Sequence, residues 1–129
     1  MALSEQEIFE KVQSVLEDAL GVDADDVTPA SRLGPDLGAE SIDYLDISFR
    51  LEKAFTIKIS EGEMFDQSVL TNTAFVSGNQ VTEAGIAELK KKMPHADFAA
   101  FEKDPQVASM ANLFTVAMVC KFIQAKIAA

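Results

Sequence analysis

Apolar residues recur at helical spacing over several stretches of the chain, which predicts a mostly helical protein. The first stretch follows Ser4 and Glu7, which form a capping-box pair, and it stops at Gly21. The second stretch extends from Ser41 to about Phe55. Its pattern predicts that Ser41 is the N-cap, whose hydroxyl accepts a hydrogen bond from an otherwise unpaired backbone N–H.

The C-terminal stretch predicts a helix that is apolar around most of its circumference, and therefore the most buried helix of the fold. One stripe of this helix consists of Leu113, Val116, Cys120, Ile123 and Ile127. Between the first two predicted helices, residues 21–40 contain several Gly and Pro residues and no sustained period, which predicts a long ordered loop. Four apolar side chains are expected to anchor this loop: Val22, Val27, Leu33 and Leu37.

Residues 61–110 are predicted to be an inserted segment of short elements. Ser60 and Glu63 repeat the capping-box spacing and predict a short helix. A β-hairpin is predicted within residues 73–82, with its turn at Ser77, Gly78 and Asn79.

Two further helical pieces are predicted after this hairpin. Thr82 is the expected N-cap of a helix that ends near Met93, because Pro94 follows. Residues 97–102 are expected to add one more turn. The predicted fold is all-α, a helical bundle with extra short helices and a small hairpin, and residues 1–129 form a single domain.

The second predicted helix has two apolar sides. Placed at 100° per residue, one side is an ordinary core stripe that comprises Tyr44, Ile47, Leu51, Ala54 and Phe55. The other side carries Ile42, Leu45 and Phe49 and is flanked by the carboxylates of Glu40, Asp43, Asp46 and Glu52. This second stripe either packs against the loop and the insertion or remains available to a partner.

Charge divides the chain into two unequal halves. The net charge is -10, and residues 1–66 contain 16 acidic and five basic residues. Such a balance argues against a nucleic-acid or anionic-membrane partner and favours a partner protein with a basic surface. The longest nearly apolar run, from Leu113 to Cys120, is too short to span a bilayer, so we expect no membrane span. The single cysteine predicts a reducing, cytoplasmic location.

The residues offer little catalytic or metal-binding chemistry. A single cysteine and a single histidine exclude a disulfide framework and argue against a Cys/His metal site. The start of an EF-hand calcium loop is similar to one acidic run of this chain, Asp23, Asp25 and Asp26. That loop needs Gly at its sixth position and Glu at its twelfth, where this chain has Thr28 and Gly34. We therefore predict no metal site, no catalytic residues and no enzymatic activity.

The start of the second predicted helix resembles the prosthetic-group signature of acyl carrier proteins. The matching residues are Asp36, Leu37, Gly38, Ala39, Glu40, Ser41, Ile42 and Asp43, followed by Leu45 and by Leu51, Glu52, Lys53, Ala54 and Phe55. The resemblance covers about residues 4–60 and 112–127 and implies an acyl-carrier-like four-helix bundle. The insertion, the replacement of Asp and Leu by Glu40 and Ile42, and the presence of Arg50 and Lys53 imply a specialised bacterial member.

By this resemblance, Ser41 carries a 4'-phosphopantetheine that a phosphopantetheinyl transferase takes from coenzyme A. The arm would hold acyl intermediates as thioesters in a fatty-acid, lipid or polyketide pathway. The resemblance also implies that acyl-processing enzymes with basic patches bind a monomeric carrier. The implied partner-binding residues are Glu40, Ile42, Asp43, Leu45, Asp46, Phe49 and Glu52.

Other functions remain open at this point. The chain could be an aminoacyl or peptidyl carrier, or a carrier-like docking module without a prosthetic group. The role of the insertion is equally open. Its apolar residues either form a cavity for an unusual acyl chain or only add to the core, and they include Met64, Phe65, Phe75, Phe98 and Phe101.

Overall fold

The computed structural model describes residues 3–59 and 72–128, which contain five α-helices and one two-stranded antiparallel sheet. The helices are α1 (Glu5–Leu20), α2 (Ser41–Phe55), α3 (Glu83–Lys92), α4 (Ala99–Lys103) and α5 (Val116–Ala128). The strands are β1 (Val76–Ser77) and β2 (Gln80–Val81), and 3-10 segments lie at Ala24–Asp26 and Val107–Leu113. The predicted mainly helical fold is confirmed. The short helix predicted at Ser60 and Glu63 lies outside the described residues, and so do the apolar residues Met64 and Phe65 of the insertion.

Helix α1 has the predicted capping box. The Ser4 hydroxyl accepts the Glu7 N–H at 3.1 Å, and the Glu7 carboxylate accepts the Ser4 N–H at 3.1 Å. These bonds favour the charged carboxylate and lower the pKa of Glu7. The helix ends at Gly21, whose φ of 69° lies in the left-handed region that glycine adopts without strain.

Helix α2 begins one residue earlier than predicted, because Glu40 and not Ser41 is its N-cap. The Glu40 N–H donates to the Asp43 carboxylate at 2.7 Å. The side chain of the third helical residue thus provides an acceptor for the backbone N–H of the N-cap residue. The prediction of Ser41 as N-cap was therefore wrong. Ser41 is the first residue of the helix proper, which leaves the capping role to its acidic neighbours.

The long loop before α2 is joined to the segment before α5. The Leu33 N–H donates to the Phe114 carbonyl, and the Val116 N–H donates to the Ser31 carbonyl, both at 2.9 Å. The loop carbonyls thus satisfy N–H groups at the start of α5 that have no partner within the helix. Three of the four predicted anchors are buried and Val22 is partly buried, which confirms an ordered loop.

Helix α5 buries more apolar side chains than any other helix of the described residues, as predicted. Its buried face differs from the predicted stripe. Cys120 and Ile127 are only partly buried, and Leu113 belongs to the preceding 3-10 segment. The buried residues of the helix are Val116, Met118, Val119, Phe122 and Ile123.

The predicted hairpin and the helix after it are present. Strands β1 and β2 pair Val76 with Val81 around a turn that contains Gly78. Thr82 caps α3 by accepting the Gly85 N–H at 3.1 Å. Gly85 lies against the hairpin so closely that an added Cβ would be 2.5 Å from the Phe75 carbonyl oxygen.

The insertion contributes to the common hydrophobic core. Phe98 and Phe101 are buried there with their ring centroids 6.4 Å apart, and Phe75 packs at its edge. These contacts favour the packing role over an acyl cavity for these three aromatic residues. In the part of the chain that is described, no helix combines the length and the apolar character needed to cross a membrane.

Candidate functional site

Helix α2 buries one of its apolar sides and exposes the other. Tyr44, Ile47 and Leu51 are in the core. The second stripe is at the surface, where Ile42 is 78% exposed, Leu45 52% and Phe49 53%. We call these three residues the α2 apolar patch. Exposed large apolar side chains that cluster on one helix face indicate a surface for protein binding.

The loop delivers the chain to α2 in a defined conformation. Gly38 adopts a φ of 79°, and its N–H donates to the Gly34 carbonyl at 2.9 Å. The next N–H, that of Ala39, donates to the Leu33 carbonyl at 2.8 Å. Ser41 then opens the helix between two exposed residues, Glu40 and Ile42.

Arg32 stabilises this loop through contacts that the sequence analysis missed. Its Nε and Nη2 atoms donate to the two carboxylate oxygens of Asp36, each at 3.1 Å, and Nη1 donates to Asn112 Oδ1 at 3.1 Å. The guanidinium lowers the pKa of Asp36. The spacing of Arg32 and Asp36, two opposite charges four residues apart, could have indicated their ion pair. The contact of Arg32 with Asn112 could not be predicted in this way, because only the tertiary structure brings the two residues together.

The four carboxylates predicted to surround the α2 apolar patch have different roles. The Glu40 side chain is exposed, and Asp43 accepts the Glu40 N–H. Asp46 pairs with Arg50, whose Nε lies 2.9 Å from Oδ2. Glu52 is half-buried and accepts the backbone N–H of Ile59 at 2.8 Å.

The residues at this helix start fit a covalently attached phosphopantetheine. A serine hydroxyl can be esterified by a phosphate, and the exposure of the flanking residues leaves the helix start accessible to a modifying enzyme. The helix N-terminus favours a phosphodiester by only about 0.3–1 kcal/mol. Since the carboxylates of Glu40 and Asp43 oppose that effect, the helix dipole by itself favours a phosphodiester at this position only weakly.

Comparison with known proteins identifies the family. The family description "Phosphopantetheine attachment site" matches residues 10–74, half of the chain. An acyl carrier protein of Guillardia theta is 44% identical over 59 residues, which cover 46% of this chain and 73% of that protein. An acyl carrier protein of Thermotoga maritima is 39% identical over 61 residues, which cover 47% of this chain and 75% of that protein.

The chain belongs to the acyl carrier protein family. It is a carrier that bears a covalent 4'-phosphopantetheine, not an enzyme. Carriers of this kind interact with phosphopantetheinyl transferases and with acyl-processing enzymes. The family match ends at residue 74, so it contains α2 and its loop but none of α3, α4 or α5.

The remaining reactive side chains of this carrier lie on other elements. Cys120 is partly buried on α5, where burial raises the pKa of its thiol to about 11. The His95 ring stacks edge-on against Phe122, with centroids 6.4 Å apart. Neither position was predicted to take part in catalysis.

Proposed function

We propose that Ser41 is the attachment point of the phosphopantetheine and that the α2 apolar patch binds the enzymes that modify and use the arm. The observation that carries this proposal is the exposure of Ile42, Leu45 and Phe49 on the helix that Ser41 opens. A helix with such a patch beside its first residue gives a docked enzyme access to that residue.

The carboxylates around the patch and the apolar residues within it contribute to binding in different ways. Exposed charges mainly raise the association rate with a basic partner, whereas the apolar side chains determine how long the complex lasts. Glu40 is exposed and suited to the first role. Asp46 contributes less than a free carboxylate because Arg50 neutralises part of its charge.

The cargo that we propose is an acyl thioester of a specialised fatty-acid, lipid or polyketide pathway, processed by a monomeric, single-domain carrier. Asp46 pairs with Arg50, so the acidic surface of α2 is interrupted at this point. The partner enzymes should therefore have basic patches that differ from those of enzymes that bind a continuous acidic stripe. An aminoacyl cargo remains the alternative. We place this carrier in the cytoplasm, a reducing compartment, because the sequence has a single cysteine and that cysteine is free.

Intact mass spectrometry tests the attachment point. The apo protein is incubated with coenzyme A and a broad-specificity phosphopantetheinyl transferase, and the gain of one phosphopantetheine is measured. We expect the gain in the natural sequence and in the control Ser48→Ala, which changes a serine within the same helix, and no gain in Ser41→Ala. A gain that persists in Ser41→Ala would contradict the proposal, and no gain in any protein would favour the docking module.

The docking role is tested separately. Ile42→Ala and Phe49→Ala should each lower the kcat/KM of the transferase at least about fivefold, the effect of losing a residue worth about 1 kcal/mol at an interface. Their melting temperatures should stay close to that of the natural sequence because both side chains are exposed. Unchanged kcat/KM in both variants would place the docking surface elsewhere.

A further inference from the structure

The turn that precedes α2 is closed by its own backbone hydrogen bonds. The Arg32 carbonyl accepts two N–H groups further along the turn, at 3.1 and 3.2 Å. The Leu33 carbonyl accepts the Ala39 N–H at 2.8 Å, two residues before Ser41. We call residues 32–39 the pre-serine turn. Because this turn ends so close to the start of α2, its conformation affects where Ser41 is placed.

The side chain of Arg32 joins the pre-serine turn to a segment that is remote in the sequence. Its Nε and Nη2 atoms donate to the Asp36 carboxylate within the turn, and its Nη1 atom donates to Asn112 Oδ1. Asn112 lies in the 3-10 segment Val107–Leu113, which follows the insertion. The planar guanidinium has several N–H groups in a fixed arrangement, so one side chain holds both acceptors at once.

The segment that carries Asn112 is held in turn by the hairpin of the insertion. The Val107 N–H donates to the Asn79 carbonyl at 2.8 Å, and the Val81 N–H donates to the Pro105 carbonyl at 2.7 Å. The family match ends before this hairpin, so the partner that Arg32 finds in Asn112 lies outside the matched region. The insertion thus reaches the pre-serine turn through a single side-chain contact.

These side-chain bonds act locally rather than on the stability of the whole fold. The side chains of Arg32 and Asp36 are 42% and 39% exposed, and Asn112 is exposed as well. Exposed ion pairs contribute little to the free energy of unfolding, because water solvates and screens the charges. They do restrict the pre-serine turn, in which Gly38 has a φ of 79° and, as a glycine, could adopt many other conformations.

We propose that Arg32 is a positioning residue for the modification of Ser41, and that it acts through its contact with Asn112. This inference rests on the proposed attachment of phosphopantetheine at Ser41. The transferase must bring the serine hydroxyl to the pyrophosphate of coenzyme A, and the alignment of reacting groups contributes strongly to the rate. A turn that is already fixed before the enzyme docks does not have to be ordered during the reaction.

Amide hydrogen exchange of the unmodified, full-length protein tests the local effect. We expect Asn112→Ala to speed the exchange of the Gly38 and Ala39 N–H groups by about three- to tenfold. The Met93 N–H, which is bonded within α3, should exchange at the rate of the natural sequence. The control is Gln106→Ala, which removes another exposed amide side chain that does not contact the pre-serine turn, and it should leave all three rates unchanged.

Transferase kinetics test the functional consequence. Asn112→Ala and Arg32→Lys leave the α2 apolar patch intact, so KM should stay within about twofold while kcat falls at least about threefold. Lysine keeps the charge but lacks the fork that holds Asp36 and Asn112 together. Asn112→Asp keeps an acceptor oxygen for Arg32 and should retain kcat. Phe49→Ala, a change in the docking surface, should instead raise KM.

Three results would overturn the proposal. They are unchanged exchange of Gly38 and Ala39 in Asn112→Ala, equal effects of Asn112→Ala and Gln106→Ala, and an unchanged kcat in both Asn112→Ala and Arg32→Lys. Failure of the attachment proposal has a different signature, a mass gain that persists in Ser41→Ala. The exchange measurement needs no modification of the protein, so the two proposals can fail separately.

Discussion

The rings of Tyr44 and Phe114 pack edge to face, with their centroids 5.1 Å apart and their planes at 66°. Tyr44 lies on the buried side of α2, and Phe114 lies just before α5, in the segment that is bonded to the loop through its carbonyl. This contact holds the N-terminal half of α2 against the segment before α5. It links residues that are far apart in the sequence to the position of Ser41.

Phe114→Ala should therefore destabilise the protein strongly. The side chain is 1% exposed, and removal of a buried phenylalanine costs about 3–5 kcal/mol of the free energy of unfolding. Urea denaturation measures this loss. Phe49→Ala, a matched truncation of a phenylalanine that is 53% exposed, should change the free energy by less than about 1 kcal/mol. Similar losses in the two variants would contradict the described packing.

Arg50→Gln should improve recognition by an enzyme with a basic docking surface. The substitution removes a positive charge and releases Asp46 from its ion pair. The kcat/KM of transferase modification should rise at low salt by up to about fivefold, equivalent to about 1 kcal/mol, and the gain should fade as salt screens the charges. Lys121→Gln, which removes an exposed charge from α5, is the control, and an equal gain there would show an effect of net charge alone.

Glu52 has a structural role that a docking carboxylate would not have. Glu52→Ala leaves the Ile59 N–H without its acceptor and should lower the free energy of unfolding by about 1–3 kcal/mol. Glu52→Gln keeps an acceptor oxygen and should retain most of the stability. Thermal denaturation distinguishes the two variants, and equal stability of both would show that the bond contributes nothing.

Gly85→Ala should destabilise the protein although alanine favours helices. The new Cβ would lie 2.5 Å from the Phe75 carbonyl oxygen and 2.6 Å from Val81 Cγ1, so the hairpin must move away from α3. We expect a loss of about 1–3 kcal/mol in the free energy of unfolding, as for other overpacked sites. Ala84→Gly, at an exposed position of the same helix, should cost only the helix propensity of about 1 kcal/mol. An increase in the stability of Gly85→Ala would refute the close contact.

Cys120 should react slowly with alkylating reagents at pH 8. Burial raises the pKa of its thiol from 9.0 to about 11, which lowers the reactive thiolate fraction about 100-fold relative to an exposed cysteine. Because the neutral form is the protonated thiol, the rate should rise with pH until the pH approaches about 11. Iodoacetamide labelling followed by mass spectrometry measures the profile, with the urea-unfolded protein as reference. A midpoint near 9 in the folded protein would contradict the shift.

The sequence by itself predicted the α-helices of the described residues, the hairpin and both apolar sides of α2, because these features depend on spacing within one element. It also identified the carrier signature around Ser41, since that signature is contiguous. The tertiary structure decided which side of α2 is exposed. The N-cap at Glu40 depends instead on a local bond, from the Glu40 N–H to the Asp43 carboxylate three residues on, which the sequence analysis missed.

Long-range contacts explain the remaining differences. The start of α5 depends on carbonyl groups of a loop more than 80 residues away, and the role of Glu52 depends on a backbone N–H beyond the end of its helix. A periodic pattern records which side of an element is apolar, but only the packing of all elements determines what that side meets.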